Sequence, residues 1–214
     1  MTALLVGALV VALWPQVSPL SAPSSKTPSA TSSTSRAAPS APHTNQRSID
    51  QLRARAALQP CPSPSGDASG SGPLSGLVLP CLGQPTTVNL TAALAGRPAL
   101  LNLWGPLCQP CVQELPALAA YTTEPDAVPV LGVEVQQLPE AALEELAALN
   151  VHYPSVSDPE GRLRAALHAP PVIPLTYLVT VDGTVHQVNP PEVMRSAEQV
   201  RAVVARYLGP GASG

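Results

Sequence analysis

The stretch Ala99-Leu100-Leu101-Asn102-Leu103-Trp104-Gly105-Pro106-Leu107-Cys108-Gln109-Pro110-Cys111-Val112-Gln113-Glu114-Leu115-Pro116 decides the fold of this chain. Its first six residues form an apolar run of the kind expected of a strand buried on both faces. From Cys111 to Tyr121 the spacing turns helical, so the two cysteines lie on the junction between a buried strand and a helix N-terminus. A thiol there meets unpaired backbone N–H groups and the positive end of the helix dipole. Both stabilise a thiolate and lower its pKa. Cysteines three apart on a first turn face the same way and can close a disulfide. Pro110 sits between them, where a missing N–H costs little. The pattern therefore predicts an exposed nucleophile, Cys108, and a more buried resolving thiol, Cys111.

Outward from this junction, the order of elements gives the fold class. Leu77–Leu79 and Thr86–Leu90 read as short strands, with Thr91 as cap of a brief helix over Ala92–Ala95. Val128–Val135 is a second buried strand. Pro139 occupies a first-turn position before an amphipathic helix over Glu140–Leu149. Tyr153–Ser157 reads as a strand and Glu160–His168 as a short helix. Leu175–Val181 and Thr184–Val188 flank Asp182-Gly183, a signal for a hairpin with a type I′ turn. Glu192–Leu208 closes the chain as a long helix. This alternation predicts an α/β domain with a mixed central sheet over 73–208, followed by a disordered tail at 209–214.

The N-terminal third has another texture. Ala3–Trp14 is an uninterrupted apolar run, shorter than a bilayer span but fitting a signal peptide. No Lys or Arg precedes it and no clear cleavage site follows. Residues 1–22 are therefore expected to be a signal peptide or a short membrane anchor. Between Pro15 and Ser48, 20 of 34 residues are Ser, Thr or Pro, too few apolar side chains to offset ordering entropy. Residues 23–72 read as a tether carrying a short helix near 49–58. Proline is spread along the whole chain, whereas serine concentrates in this part. The chain of 214 residues has a net charge of -3 and no Phe. It has no basic footprint for nucleic acid, and its core must be built from Leu, Val and Ala.

Other uses of the cysteines are weighed by what they would need. Zinc needs a second ligand pair, but Cys61 and Cys81 lie 20 apart and the four His are scattered. Covalent haem needs His after Cys111, where Val112 stands. A purely structural disulfide at Cys108–Cys111 remains an alternative. So do a copper-carrying metallochaperone, with His168 or His186 as third ligand, and a redox-inert binding module.

The quoted stretch resembles the extracytoplasmic thioredoxin-like proteins of the TlpA/ResA type, whose pattern is N-[FL]-W-x-x-W-C-x-P-C-x-x-E-x-P. A second block, Val172-Ile173-Pro174-Leu175-Thr176-Tyr177-Leu178-Val179 followed by Asp182-Gly183, is similar to the family's V-P-T-T-[FY]-L-I-x-x-D-G. The resemblance runs from roughly Leu77 to Leu208. It implies a thioredoxin fold with extra N-terminal strands and an insertion, and thiol–disulfide oxidoreductase activity without cofactor or metal. It makes Cys108 and Cys111 catalytic and Pro174 a cis-proline beside them. Ile173 would offer its backbone to an extended substrate segment, with Trp104 and Pro110 as active-site support. Glu114, one helical turn beyond Cys111, would relay that thiol's proton; the alternative is a solvated first-turn glutamate. Pro116 matches the family's helix-kinking proline. Asn102 stands where cytosolic thioredoxins carry a buried Asp. Leu107, Gln109 and Val112 depart from the family's usual residues. These departures bear on redox potential and partner choice rather than on fold. The implied partners are protein thiols and disulfides, together with a membrane thiol–disulfide partner that recharges the pair. The implied location is outside the cytoplasm, with the N-terminus at the membrane. Either redox direction is open, and Pro110 leans toward reduction. For such an exported chain, Cys61 and Cys81 are expected to bridge, the alternative being two free thiols.

Overall fold

A computed structural model describes residues 42–65 and 71–209. The apolar run at 3–14, the first part of the expected tether and the tail beyond Gly209 lie outside the described residues.

At the centre lies β3 (Ala99–Trp104), buried at all six positions as its apolar run predicts. It runs parallel to β4 (Val130–Glu134), which runs parallel to β5 (Ser155–Ser157). On its other side β3 pairs antiparallel with β6 (Leu175–Val179), and β6 with β7 (Val185–Gln187). The strand order is β5-β4-β3-β6-β7, a mixed sheet of the expected kind. Two further strands, β1 (Val78–Pro80) and β2 (Thr87–Asn89), form a separate antiparallel pair before the sheet begins. These are the extra N-terminal strands. Helices α2 (Leu90–Leu94), α3 (Gln109–Tyr121), α4 (Pro139–Ala148), α5 (Arg162–Ala166) and α6 (Ala197–Leu208) complete the layers. The α4–β5 excursion between β4 and α5 fits the expected insertion.

Side chains alternate across a strand, and β3 shows what this does for the site. Ala99, Leu101 and Leu103 join Leu79, Val88, Leu90 and Val133 in one core layer. Leu100 and Trp104 join Leu115, Leu118, Leu143, Leu146 and Val200 in the other. Asn102 shares the second face, so its amide is directed toward α3.

Several elements differ from expectation for local reasons. The helix expected near 49–58 runs over Pro42–Ala56, here α1. It belongs to the folded unit rather than to a tether. One apolar stripe was enough, because Leu52 and Ala56 are buried in the core and α1 lies against α4. Arg53 Nε also donates to Leu82 O at 3.1 Å. Asn89, not Thr91, caps α2 by accepting from Ala92 N at 3.2 Å. The Thr91 hydroxyl donates instead to Leu74 O at 2.8 Å. The β6–β7 turn is not type I′, since Gly183 has a φ of 82° while Asp182 stays out of the left-handed region. The Asp182 carboxylate holds the turn by accepting from Thr184 N at 3.1 Å, and Gly183 N donates to Thr180 O at 2.9 Å. Helix α6 begins at Ala197, capped by Ser196. The residues expected as its first turn form an irregular segment that serves the site.

Candidate active site

Beyond Trp104 the chain makes a tight turn in which Cys108 N donates to Gly105 O at 3.1 Å. Cys108 is then the N-cap of α3, its backbone extended at φ -98° and ψ 99°. Its Sγ accepts from Cys111 N at 3.2 Å. The helix therefore starts two residues before the apolar pattern shows it, because a cysteine side chain does the capping. Pro110 falls in the first turn, where its missing N–H leaves no bond unmade. Cys108 and Cys111 are joined as a disulfide with Cα atoms 5.2 Å apart. Cys108 keeps 9% of its surface exposed and Cys111 none, so an incoming sulfur can approach only the first of the pair.

The Ile173–Pro174 peptide bond is cis, and Ile173 O lies 3.6 Å from Cys108 Sγ. This places the loop before β6 directly against the disulfide. Leu107 and Val172, one residue before each of these groups, are exposed apolar side chains. Trp104 is fully buried and closes the end of β3. Gly132 on the neighbouring strand leaves it room, since a Cβ there would come 3.3 Å from Trp104 Nε1 and 2.6 Å from Ser155 Oγ.

Beneath the cysteines lies a buried polar cluster. Glu114 is 1% exposed, which excludes a solvated first-turn carboxylate. Its Oε2 accepts from Asn102 Nδ2 at 2.8 Å, and its Oε1 from Met194 N at 3.0 Å. Asn102 Nδ2 also donates to Thr176 Oγ1 at 3.3 Å, the residue directly across from it in the β3–β6 register. Burial pushes the Glu114 carboxyl up to about 7. The Met194 N–H and the Asn102 amide oppose this by favouring the charged form, and the charge of Glu192 adds to the rise. No cation pairs with Glu114 among the described residues. A carboxyl held near neutrality is suited to taking up and returning a proton.

Cys61 and Cys81 form a second disulfide, with Cα atoms 6.2 Å apart. Cys81 follows β1 and bridges to Val156 of β5. Cys61 N donates to Gln84 Oε1 at 3.2 Å. The bridge thus ties the segment after α1 to the sheet edge. Among the described residues no three His, Cys, Asp or Glu side chains gather so as to hold a metal ion. His168 is exposed and has a φ of 48°, and His186 lies against Tyr207 with ring centroids 6.1 Å apart.

Three partners of the site were not named from sequence. Thr176 and Met194 reach Glu114's cluster across 74 and 80 residues of chain. Gln136 Oε1 accepts from Leu107 N at 2.9 Å, beside Cys108. Only the first had a signal, its place in the Ile173-Pro174 block.

Residues 77–188 match the AhpC/TSA family. A thiol:disulfide interchange protein DsbE from Xylella fastidiosa is 33% identical over 124 residues, covering 58% of this chain and 62% of the relative. The thiol–disulfide oxidoreductase ResA of Bacillus subtilis is 29% identical over 97 residues, covering 44% and 54%. The chain thus spans less than two thirds of the length of these relatives. Among solved structures, a secreted Mycobacterium tuberculosis disulfide oxidoreductase homologous to E. coli DsbE superposes with a TM-score of 0.54. It is 24% identical and covers 63% of this chain and 97% of its own. That likeness shows a thioredoxin-like fold.

Proposed function

Because the chain belongs to the AhpC/TSA family, we propose that it is an extracytoplasmic thiol–disulfide oxidoreductase exchanging disulfides with exported proteins through Cys108 and Cys111. One observation carries the reading. A reachable sulfur caps a helix and is bonded to a fully buried one, with an unpaired-by-cation carboxyl buried one turn further on.

In the reductive direction, the Cys108 thiolate attacks one sulfur of a substrate disulfide. That bond breaks, and the departing substrate sulfur takes a proton. The mixed disulfide rests against the backbone at Ile173, where the 3.6 Å approach to Cys108 Sγ leaves an extended segment within reach. Cys111 passes its proton to Glu114 and attacks Cys108 Sγ; the bond from Cys108 to the substrate breaks, and the second substrate sulfur leaves as a thiolate that takes a proton from water. The protein pair loses two electrons and the substrate gains them. The reverse sequence oxidises a dithiol. Pro110 favours the reductive sense, and a membrane thiol–disulfide partner would restore the dithiol. The word "secreted" in the description of the mycobacterial structure and the Cys61–Cys81 bridge both support a compartment where disulfides persist. Among the described residues no helix is long and apolar enough to cross a membrane; the apolar run at 3–14 is the segment proposed to direct export or attachment.

Turnover of insulin disulfides with dithiothreitol tests the reading. Wild-type protein should accelerate the reaction, and Cys108→Ser should lose at least about a hundredfold of that rate. Equal rates with and without Cys108 would exclude the mechanism.

A further inference from the structure

We propose that Gln136 is a positioning residue for the Cys108 thiol, its side chain latching the turn that presents the sulfur. This rests on the oxidoreductase reading for its purpose, but its geometry stands apart from it.

The turn Gly105–Cys108 has one internal bond, from Cys108 N to Gly105 O. Its central amide, Leu107 N, has no partner in the turn itself. Gln136 Oε1 supplies one at 2.9 Å. Leu107's side chain is 73% exposed, so side-chain packing does little to hold this residue. The hydrogen bond that Leu107 N donates to Gln136 Oε1 is what fixes it.

Gly105 carries an independent sign of the same contact. It does not have the positive φ that usually explains a glycine. What a Cβ at Gly105 would meet is Gln136 itself, with Cδ at 2.3 Å and Cγ and Oε1 at 2.4 Å. The glycine is therefore explained by space for the Gln136 amide, not by backbone conformation.

Gln136 is in turn held from the sheet. Its own N–H donates to Glu134 Oε1 at 2.6 Å, as does Leu138 N at 3.2 Å. The other oxygen of Glu134 accepts from Ser157 Oγ at 2.8 Å. Gln137, between the two donors, takes a φ of 61°, which lets both amides turn inward to one carboxylate. A chain of contacts thus runs from β5 through the end of β4 to the residue before Cys108.

The consequence follows from how the thiol is activated. A thiolate at Cys108 is favoured by the Cys111 N–H and the helix N-terminus only while the side chain keeps its capping position. A loosened turn populates conformers in which it does not. The segments beside the sulfur, Gly105–Pro110, Gln136–Leu138 and Ala169–Pro174, carry no ionisable side chain apart from Cys108 itself. The ionisable groups on the elements around them include Cys111, Glu114 and Tyr121 on α3, Glu134 on β4, Glu140 on α4, His168 after α5, Tyr177 on β6 and Arg164 on α5, which donates to Pro170 O at 2.9 Å. None of them is itself replaced by a substitution at Gln136 or Gly105, and both variants keep the backbone N–H at position 136 that donates to Glu134.

The test is the pH dependence of iodoacetamide labelling at Cys108 in the reduced full chain, located by peptide mass mapping. Gln136→Met keeps the volume without the acceptor, and Gly105→Ala displaces the side-chain amide while residue 136 stays glutamine. Each single variant should move the labelling midpoint upward by about 0.5–1 unit and slow labelling at pH 7 about three- to tenfold. The double variant should show no more than either single one, because both break the same contact. Gln59→Met, the same substitution at an exposed glutamine after α1, should match wild type. An unmoved midpoint in Gln136→Met, or additive shifts in the double variant, overturns the latch. Labelling does not require turnover, so inactivity toward insulin would sink the oxidoreductase reading while leaving this result intact.

Discussion

The molecule holds two disulfides made of the same atoms in different settings. Cys61–Cys81 joins segments 20 residues apart and ties a loop to the edge strands. Cys108–Cys111 joins residues three apart across a helix N-terminus, above a buried carboxyl. A cross-link stabilises chiefly by the loop it closes in the unfolded chain, so the first bridge bears on folding and the second adds little to it. The second lies where a thiolate is stabilised, so opening it is comparatively easy. What separates a strut from a reaction centre is therefore the backbone around the sulfurs.

Substitutions should break this comparison in opposite directions. The largest effect is expected from Cys108→Ser, which abolishes insulin turnover while the urea midpoint changes little. The paired change Cys61→Ala with Cys81→Ala should do the converse. It should lower unfolding stability by about 3 kcal/mol on the loop-closure estimate, with turnover per folded molecule unchanged. Turnover lost in step with stability would erase the distinction.

Glu114 sharpens the contrast, because it links the reactive bridge to pH. Its carboxyl is raised in the folded state from 4.5 to about 7, so between these values the folded protein binds more protons than the unfolded. Stability should therefore fall as pH rises through that window and level off above it. The total is about 3 kcal/mol, from 1.36 kcal/mol per unit. Glu114→Gln should flatten that profile and slow the release of substrate from the mixed disulfide by about tenfold or more. Urea titrations at pH 5 and pH 8 read the first effect, and a slope unchanged by Glu114→Gln would contradict it. A smaller shift belongs to Asn102→Leu. Removing the amide that favours the charged carboxyl should move the window upward by a fraction of a unit up to about one unit; a downward move would exclude the Asn102–Glu114 contact.

The same contrast separates what sequence reveals from what it hides. Strand β3 was legible to its last residue, because a run buried on both faces has no alternation to misread. The cysteine pair, Glu114 and Ile173-Pro174 could be located because they keep fixed offsets along the chain. Glu114's burial could not, since it depends on Asn102, Thr176 and Met194 arriving from three other segments. Helix α6 is five residues shorter than its pattern predicts, because Glu192–Ser196 looks helical while the Met194 N–H is turned to Glu114 instead. Helix α1 reads as part of a tether because Pro42 and six polar residues precede its apolar stripe. The Gln136 contact left no trace beyond Gly105, a residue that could equally have marked a turn.

The most direct test of the central claim is a redox titration of the intact protein. The chain would be equilibrated in graded reduced and oxidised glutathione, acid-trapped, labelled and mapped by mass spectrometry. Cys108–Cys111 should open as a reversible two-electron couple, while Cys61–Cys81 stays closed throughout that transition. Concerted opening of both bridges, or Cys61–Cys81 opening first, would contradict the assignment of one as reaction centre and the other as strut.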